Sequence, residues 1–386
     1  MPGRSVPGMV GWGQVLGRRL DRHFLTEPGT SAADVAAALC GVHAQIITAA
    51  ELSIGQRLAG GGRDGVRAAL WETRELVKTF GPRGTVHLLP TRDLPRWTGA
   101  LAAVPRPLPS FDPSVRLAPA QLDEVVAGIG VLLADAELTL DELDVALGDE
   151  VGAWAVERCM PAFQELWPRW RQAMDTAAHR GLLCYGPVRN RKVTYTSPQR
   201  WSPGFVPAPG PAAVTWLARS YLASYGPARP EHFAQWLSVA KPWAVTLFDT
   251  LAAAGEIESL GEAGWVVAGD TAFPTEQARG LRLLPYFDAY VVGSHPRDQV
   301  FPGAAGVRAQ ARSQAGNYPV LLLGGMVGGV WHQKRAGRYL DVTVEPVVDL
   351  TAADRRALDA EVDRVAAFQE LTPRLAIGPI AVGPHA

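Results

Sequence analysis

Cysteine is scarce in this chain: only Cys40, Cys159 and Cys184 occur, and no two form a Cys-x-x-Cys pair. That excludes a disulfide framework and a cysteine-based zinc site, and a reduced, cytoplasmic setting is expected. Also missing is any run of about twenty apolar residues, the length a membrane span requires. The best candidate, Tyr318 to Trp331, is too short and is broken by Pro319 and four glycines. The N-terminus lacks the basic, apolar and small-residue order of a signal peptide, so no secretion is expected. Finally, there is no excess of positive charge. Thirty-seven Lys and Arg stand against 38 Asp and Glu, for a net charge of -1, whereas a nucleic-acid binder is usually basic.

What is present points to a globular protein. Of 386 residues, 47% are hydrophobic and 19% charged, enough for two to four domains with a large core. Forty glycines, 31 prolines and 12 tryptophans suit many short elements joined by tight turns. The charge is segregated. From Leu117 to Glu157 there are ten acids and no Lys or Arg; from Arg158 to Ser202 there are eight Arg or Lys against Glu165 and Asp175. From Thr271 to Leu340 the balance is eight basic residues to three acidic. Such a distribution permits a basic face on a near-neutral molecule, although solvated surfaces alone produce the same pattern.

One kind of unit recurs along the chain: short amphipathic helices, a turn, then a β-prone pair of runs. The first opens at Ser31-Ala-Ala-Asp34, a variant capping box. Its first helix stops at Gly41, a second spans roughly Ala49 to Leu58, a third Asp64 to Glu75, and a strand covers Thr85 to Leu89. The second unit opens at Thr139-Leu-Asp-Glu142 and continues through helices carrying Trp154, Trp167 and Trp170. It ends in Leu182–Tyr185 and Lys192–Thr196, a hairpin whose tip Arg189-Asn-Arg-Lys192 is basic. The third runs from Pro211 through Arg229–Leu237 and a helix from Pro242 to Ala254 to a hairpin at Ile257–Val267. After Gly280 short β runs are expected at Leu281–Leu284, Ala289–Val292, Tyr318–Leu323, Val327–Trp331 and Tyr339–Val344. These read as a small barrel or sandwich covered by a helix from Ala352 to Gln369. The expected fold class is α+β, with domains at 1–110, 111–206, 207–280 and 281–386.

His43 and Gln45, within Leu39-Cys-Gly-Val-His-Ala-Gln-Ile-Ile-Thr48, stand two apart among apolar Val42, Ala44 and Ile46. In an extended segment alternate residues point to one side, so the two polar side chains converge on one spot. A pair of this kind can hold one water molecule. The plainer reading of His43 is a loop histidine closing the helix that ends at Gly41.

The stretch Leu39–Gln45 followed by Ala50–Ile54, the run Leu76–Pro90, and Leu283–Gly293 with Pro296-Arg-Asp298 together resemble the winged-helix, AlkZ-like DNA glycosylase family. The resemblance runs from about Trp12 to Leu375, with three separated motifs in order. It implies three tandem winged helices around a C-terminal β-barrel, forming a concave cradle for double-stranded DNA. It also implies hydrolysis of the N-glycosidic bond of N7-alkylated purines, including bulky natural-product adducts and some interstrand crosslinks, at a shallow, open site. The family signature is Gln-Φ-Gln or Gln-Φ-Asp, with Φ aliphatic; here it stands as His43-Ala44-Gln45. Gln45 falls on the second polar position and His43 replaces the first glutamine. This variant resembles a His-Φ-Gln subgroup tied to self-resistance against a DNA-alkylating toxin. A cytoplasmic, nucleoid-associated monomer acting in base-excision repair is expected, with no cofactor and no metal.

An N7-alkylguanine is already cationic, so its departure needs no protein acid. The enzyme must stabilise an oxocarbenium-like sugar and deliver water. Glutamine cannot take a proton but its amide oxygen orients a water, whereas neutral histidine can do both. No nucleophilic lysine is implied, so hydrolysis without strand cleavage is expected. DNA contacts are expected from Arg189, Arg191 and Lys192, and from Lys334, Arg335 and Arg338, as phosphate contacts that carry no sequence information. Thr85, His87 and Asp288 are further cleft candidates. Core packing is the favoured alternative for His87, and Asp288 with Tyr286 and Tyr290 otherwise braces the C-terminal β region. Two competing readings are a winged-helix transcriptional regulator and a drug-sequestering protein. The regulator needs polar base-reading residues on its recognition helix, and Pro242–Asp249 is too apolar for that.

Overall fold

The computed structural model describes residues 10–60, 62–105, 111–161, 165–311 and 314–383. Helices and strands alternate along the chain in a mixed α+β fold. Two compact units form. One takes the chain up to Arg67, Arg219–Trp236 and Lys241 onward; the other takes Ala68–Ala218 and Leu237–Ala240.

The first unit begins with α1 (Trp12–Arg22), α2 (Ala32–Ala38), β1 (Val42–His43) and α3 (Ile47–Gly55), and α4 (Arg63–Trp71) starts within it. Ser31 caps α2 as its sequence suggests, its hydroxyl accepting from the Asp34 amide at 3.0 Å. The chain reverses after α2 through Cys40 at φ 56° and Gly41 at φ 90°. The Gly41 amide donates to the Ala36 carbonyl at 2.9 Å, closing the helix end. Arg63 and Arg67 pair with Glu51 of α3 at 3.3 and 2.8 Å.

In the second unit, β2 (Leu76–Phe80) and β3 (Val86–Pro90) form an antiparallel hairpin, with Leu76 opposite Pro90 and Phe80 opposite Val86. Then come α5 (Leu94–Ala103), α6 (Pro119–Leu133), β4 (Leu138–Thr139) and α7 (Leu140–Glu150). Thr139 and Glu142 close a capping box at the start of α7. Next are β5 (Arg158–Pro161), β6 (Leu166–Pro168), α8 (Met174–His179), β7 (Cys184–Arg189), β8 (Lys192–Thr196), α9 (Pro198–Trp201) and α10 (Gly210–Tyr225), which begins here. β4, β8 and β7 make a three-stranded sheet in that order. The tryptophans do not sit on helices as expected. Trp154 lies in a turn, Trp167 in β6 and Trp170 in a short 3-10 segment. Trp170 is fully buried and donates from Nε1 to Asp144 at 2.7 Å.

The chain then proceeds through α11 (Pro230–Leu237), α12 (Lys241–Ala253) and the hairpin β9 (Ile257–Ser259) and β10 (Trp265–Val267), with Ala228 bridging to Trp265. The C-terminal part carries β11 (Leu281–Leu284), α13 (Ala289–Gly293), α14 (Arg297–Val300), α15 (Ala304–Ala309) and β12 (Val320–Leu323). It ends with β13 (Met326–Ala336), β14 (Tyr339–Pro346), α16 (Ala352–Phe368) and β15 (Thr372–Ile377). The expected barrel is instead an open five-stranded sheet, β11-β12-β13-β14-β15, and no closed barrel forms among the described residues. Its last strand runs parallel to β14 after the α16 crossover. Ala289–Val292, expected as a strand, is helical. Asp288 caps it by accepting from the Tyr290 amide at 3.0 Å, which outweighs the β propensity of Tyr and Val there. α1 joins this part, Leu16 and Leu20 packing with Leu284, Tyr290, Val320 and Val330. No helix among the described residues is long and apolar enough to cross a membrane.

Candidate functional site

The turn from β1 into α3 carries His43 and Gln45. Burial alternates along it: Val42 and Ala44 are each 1% exposed, His43 is half-buried and Gln45 exposed. Ile46 stays extended, with φ -105° and ψ 99°, before α3 begins. The two apolar side chains therefore point inward, and the two polar ones share the outward side.

α3 is pinned at its far end. The Arg57 guanidinium, just past the helix, donates to both oxygens of Asp288 at 2.8 Å each. The Ser53 hydroxyl donates to the same carboxylate at 2.7 Å. Arg57 also donates to the His23 carbonyl at 2.9 Å and the Ser53 carbonyl at 2.7 Å. Both side chains of the ion pair are fully buried. Burial alone would raise the Asp288 pKa, but the Arg57 charge and the bonds from Arg57, Ser53 and the Tyr290 amide outweigh it and hold the carboxylate below its ordinary value. Asp288 is thus consumed by Arg57 and does not open onto a cleft. Gln56 adds a bond to the Leu283 carbonyl at 2.8 Å. A Cβ at Gly55 would meet the Phe368 ring at 2.0 Å, so only glycine allows α16 this close.

A residue that sequence reasoning passed over faces His43. The Phe287 ring lies 4.4 Å from the imidazole, centroid to centroid, at an interplanar angle of 35°. Tyr286 follows at 6.5 Å from Phe287. Burial, then the neighbouring Tyr318, pushes the Tyr286 hydroxyl pKa up. The one available signal was the aromatic pair in Pro285-Tyr-Phe-Asp288, inside the third motif.

The other candidates are placed as follows. Thr85 and His87 belong to the second unit. The Thr85 hydroxyl donates to the Pro82 carbonyl at 3.0 Å, and His87 Nδ1 donates to the Thr85 carbonyl at 2.8 Å. His87 is 4% exposed and packs on Gly81, in line with its core alternative. Arg189, Arg191 and Lys192 lie exposed at the β7–β8 tip, where Asn190 at φ 52° and Arg191 at φ 65° form a two-residue turn of the type that suits strand twist. Arg189 pairs with Glu142, and Lys192 with Asp141 at 2.6 Å, both acids being in the first turn of α7. Lys334 and Arg335 are exposed on β13 and Arg338 follows the Gly337 turn. Arg338 donates to the Tyr339 hydroxyl at 2.8 Å, and Arg374 of the unforeseen strand β15 lies over the Tyr339 ring at 4.4 Å. Among the described residues no three of His, Cys, Asp or Glu gather into a metal-holding group.

Three comparisons place these features among known proteins. A sequence model described as DNA glycosylase AlkZ-like matches residues 36–368. An interstrand DNA cross-link repair glycosylase of Streptomyces sahachiroi is 32% identical over 372 residues, covering 92% of this chain and 95% of that protein. The solved structure of the Streptomyces sahachiroi DNA glycosylase AlkZ is similar with a TM-score of 0.78 at 28% identity, over 96% of this chain and all of that one.

Proposed function

The chain belongs to the AlkZ-like DNA glycosylase family, and from that premise we propose that it hydrolyses the N-glycosidic bond of N7-alkylguanine in duplex DNA, with His43 and Gln45 as the catalytic pair. The observation that carries this reading is the alternation at 42–45, which turns both polar side chains outward together. Gln45 orients the attacking water through its amide oxygen; His43 orients it and accepts its proton. The cationic base leaves without a protein acid, and no lysine nucleophile is invoked, so the product is an abasic site in an uncut strand. Bulky adducts are the intended substrates, in a repair role that doubles as self-resistance to the alkylating agent. The name of the cross-link repair relative supports extending this to interstrand crosslinks.

DNA is held through phosphates by the basic tips of β7–β8 and β13–β14. A winged-helix reading is supported by the run α10, Ala228, α11, α12, β9, β10, a helix, a bridge, two helices and a hairpin; the run α6, β4, α7, α8, β7, β8 is similar but carries the β5–β6 hairpin between α7 and α8. The regulator reading fares worse. α12 exposes apolar Pro242 and Val245 beside Lys241 and Asp249, and its exposed Thr246 and Thr250 donate to their own helix carbonyls at 3.1 and 2.8 Å, which weakens it as a base-reading face. The test is incubation with duplex DNA alkylated at guanine N7, as a methyl adduct and as a bulky adduct, with mass spectrometry of the free base. Release without strand nicking is expected. No release from either substrate overturns the reading, and nicking without alkali overturns the monofunctional mechanism.

A further inference from the structure

Phe287 has φ 55°, a left-handed conformation that is strained for a non-glycine residue. The surroundings enforce it from both sides. Its amide donates to the Gly316 carbonyl at 2.9 Å. Gly316 sits so close that a Cβ there would meet the Phe287 Cα at 3.2 Å and Val292 Cγ2 at 2.9 Å. On the other side Asp288 is locked by Arg57 and Ser53. Those two partners stand at the C-terminal end of α3, the helix that begins at Ile47, two residues after Gln45. β1 thus delivers the histidine just ahead of the helix whose exit holds the anchor of the loop that bears the ring. In this conformation the Phe287 ring lies 4.4 Å from the imidazole.

We infer that Phe287 is a positioning residue for His43: its ring backs the imidazole, sets its plane towards the attacking water, and steadies the positive charge the imidazole gains during hydrolysis. This rests on the glycosylase reading above. In that step a water O–H bond breaks and its proton goes to a ring nitrogen of His43. The oxygen bonds to C1′ of the sugar, and the C1′–N9 bond breaks with its electron pair going to the departing base, which leaves neutral. The histidine alone changes from neutral to cationic, and an aromatic face attracts a cation. The charged groups on the neighbouring segments are compensated in pairs, Glu51 by Arg63 and Arg67, and Asp288 by Arg57. Tyr286 is neutral at working pH, its pKa being raised. The ring is therefore a contact through which the environment of the imidazole can be altered with these ion pairs left intact.

The test uses the full chain with four forms: wild type, Phe287→Leu, Phe287→Tyr and Phe287→Gly. Glycine accepts a positive φ, so the last variant removes the ring and relieves the backbone, which protects the experiment against loss of folding. Two readouts are taken. One is the pH titration of the His43 imidazole by nitrogen-15 NMR on protein alone. The other is single-turnover release of 7-methylguanine from methylated duplex. The Leu and Gly variants are expected to titrate about half a pH unit lower than wild type, the size of a half-exposed cation–aromatic contact. Their release should slow about tenfold with unchanged DNA affinity, and Phe287→Tyr should behave as wild type. An unaltered imidazole titration in both ring-less variants overturns the inference, whatever happens to the rate. If wild type releases no base yet the titration still moves, the contact between Phe287 and His43 stands and the glycosylase reading falls instead.

Discussion

His43 and Gln45 owe their common direction to Val42 and Ala44, whose burial turns the residues between and after them outward. Neither is a phosphate contact in the reading above. His43→Ala and Gln45→Ala are therefore each expected to slow single-turnover base release about a hundredfold or more, with DNA affinity nearly unchanged. The role of His43 separates by pH. A histidine that accepts the proton of water works in its neutral form, so the wild-type rate should rise with pH as the imidazole loses its proton and then level off. His43→Gln retains a water-orienting amide but cannot titrate, so its residual activity should be flat with pH. Two flat profiles at equal rate would reduce His43 to orienting water. Full activity in both alanine variants would remove the motif from the catalytic centre.

The elements matter for what they hold still. α3 is fixed at its exit by Arg57, Ser53 and Gln56, so its entrance presents the motif from a rigid support and not from a free loop. The β7–β8 hairpin is less simple than a cationic tip. Its Arg189 and Lys192 are already paired with Glu142 and Asp141, so DNA must compete for them, while Arg191 has no ion pair among the described residues. Replacing Arg189, Arg191 and Lys192 together by alanine should weaken binding to unrelated duplexes equally and flatten the log–log salt slope by roughly 0.9 per lost phosphate contact. The converse change, Asp141→Asn with Glu142→Gln, keeps an amide at the capping position and frees both cations, so affinity should rise at low salt. Fluorescence anisotropy across a salt series checks both. A loss confined to one DNA sequence would favour the regulator, and an unchanged slope would remove the hairpin from the interface.

At the scale of the molecule, the first unit has built acid sensitivity into its core. Burial, helped by the charge of Arg57, pushes His23 down to about 3, and burial with Arg297 close by pushes His295 down to about 2. Both are held neutral in the folded state, whereas the unfolded chain protonates near pH 6.5. The unfolded state therefore binds more protons as pH falls. The stability contributed by these groups is complete above about pH 6.5 and is lost progressively on the way down towards the folded values. By pH 5 each costs on the order of 2 kcal/mol, a large share of a typical domain's stability. Thermal melting followed from pH 7.5 to pH 5 should show Tm falling steadily below pH 6.5. A Tm that holds level to pH 5 would mean that these histidines take up protons without unfolding.

Much of this protein was legible one residue at a time because the information is local. Ser31, the Thr139/Glu142 box and Gly41 mark helix ends through contacts three to five residues away. The tip at Arg189–Lys192 and the α12 helix follow from patterns of the same range, and the polar–apolar alternation at 42–45 is itself a local signal. Misreadings fell where distant partners decide. Ala289–Gly293 is helical because Asp288, anchored by Arg57 from more than two hundred residues away, is there to cap it. The C-terminal sheet stays open because its fifth strand, β15, which no alternation of apolar residues announced, adds parallel to β14 after the α16 crossover. Phe287 carried only the signal of an aromatic pair inside the third motif, and that pair does not say which ring it will meet. The sequence by itself determined the helix caps, the turn chemistry, the family and the outward pair at His43 and Gln45, all of which rest on short-range bonds or matching residues. Only the tertiary structure decided what stands behind that pair, because a ring facing an imidazole and a carboxylate facing a guanidinium are contacts between segments that chain order keeps far apart.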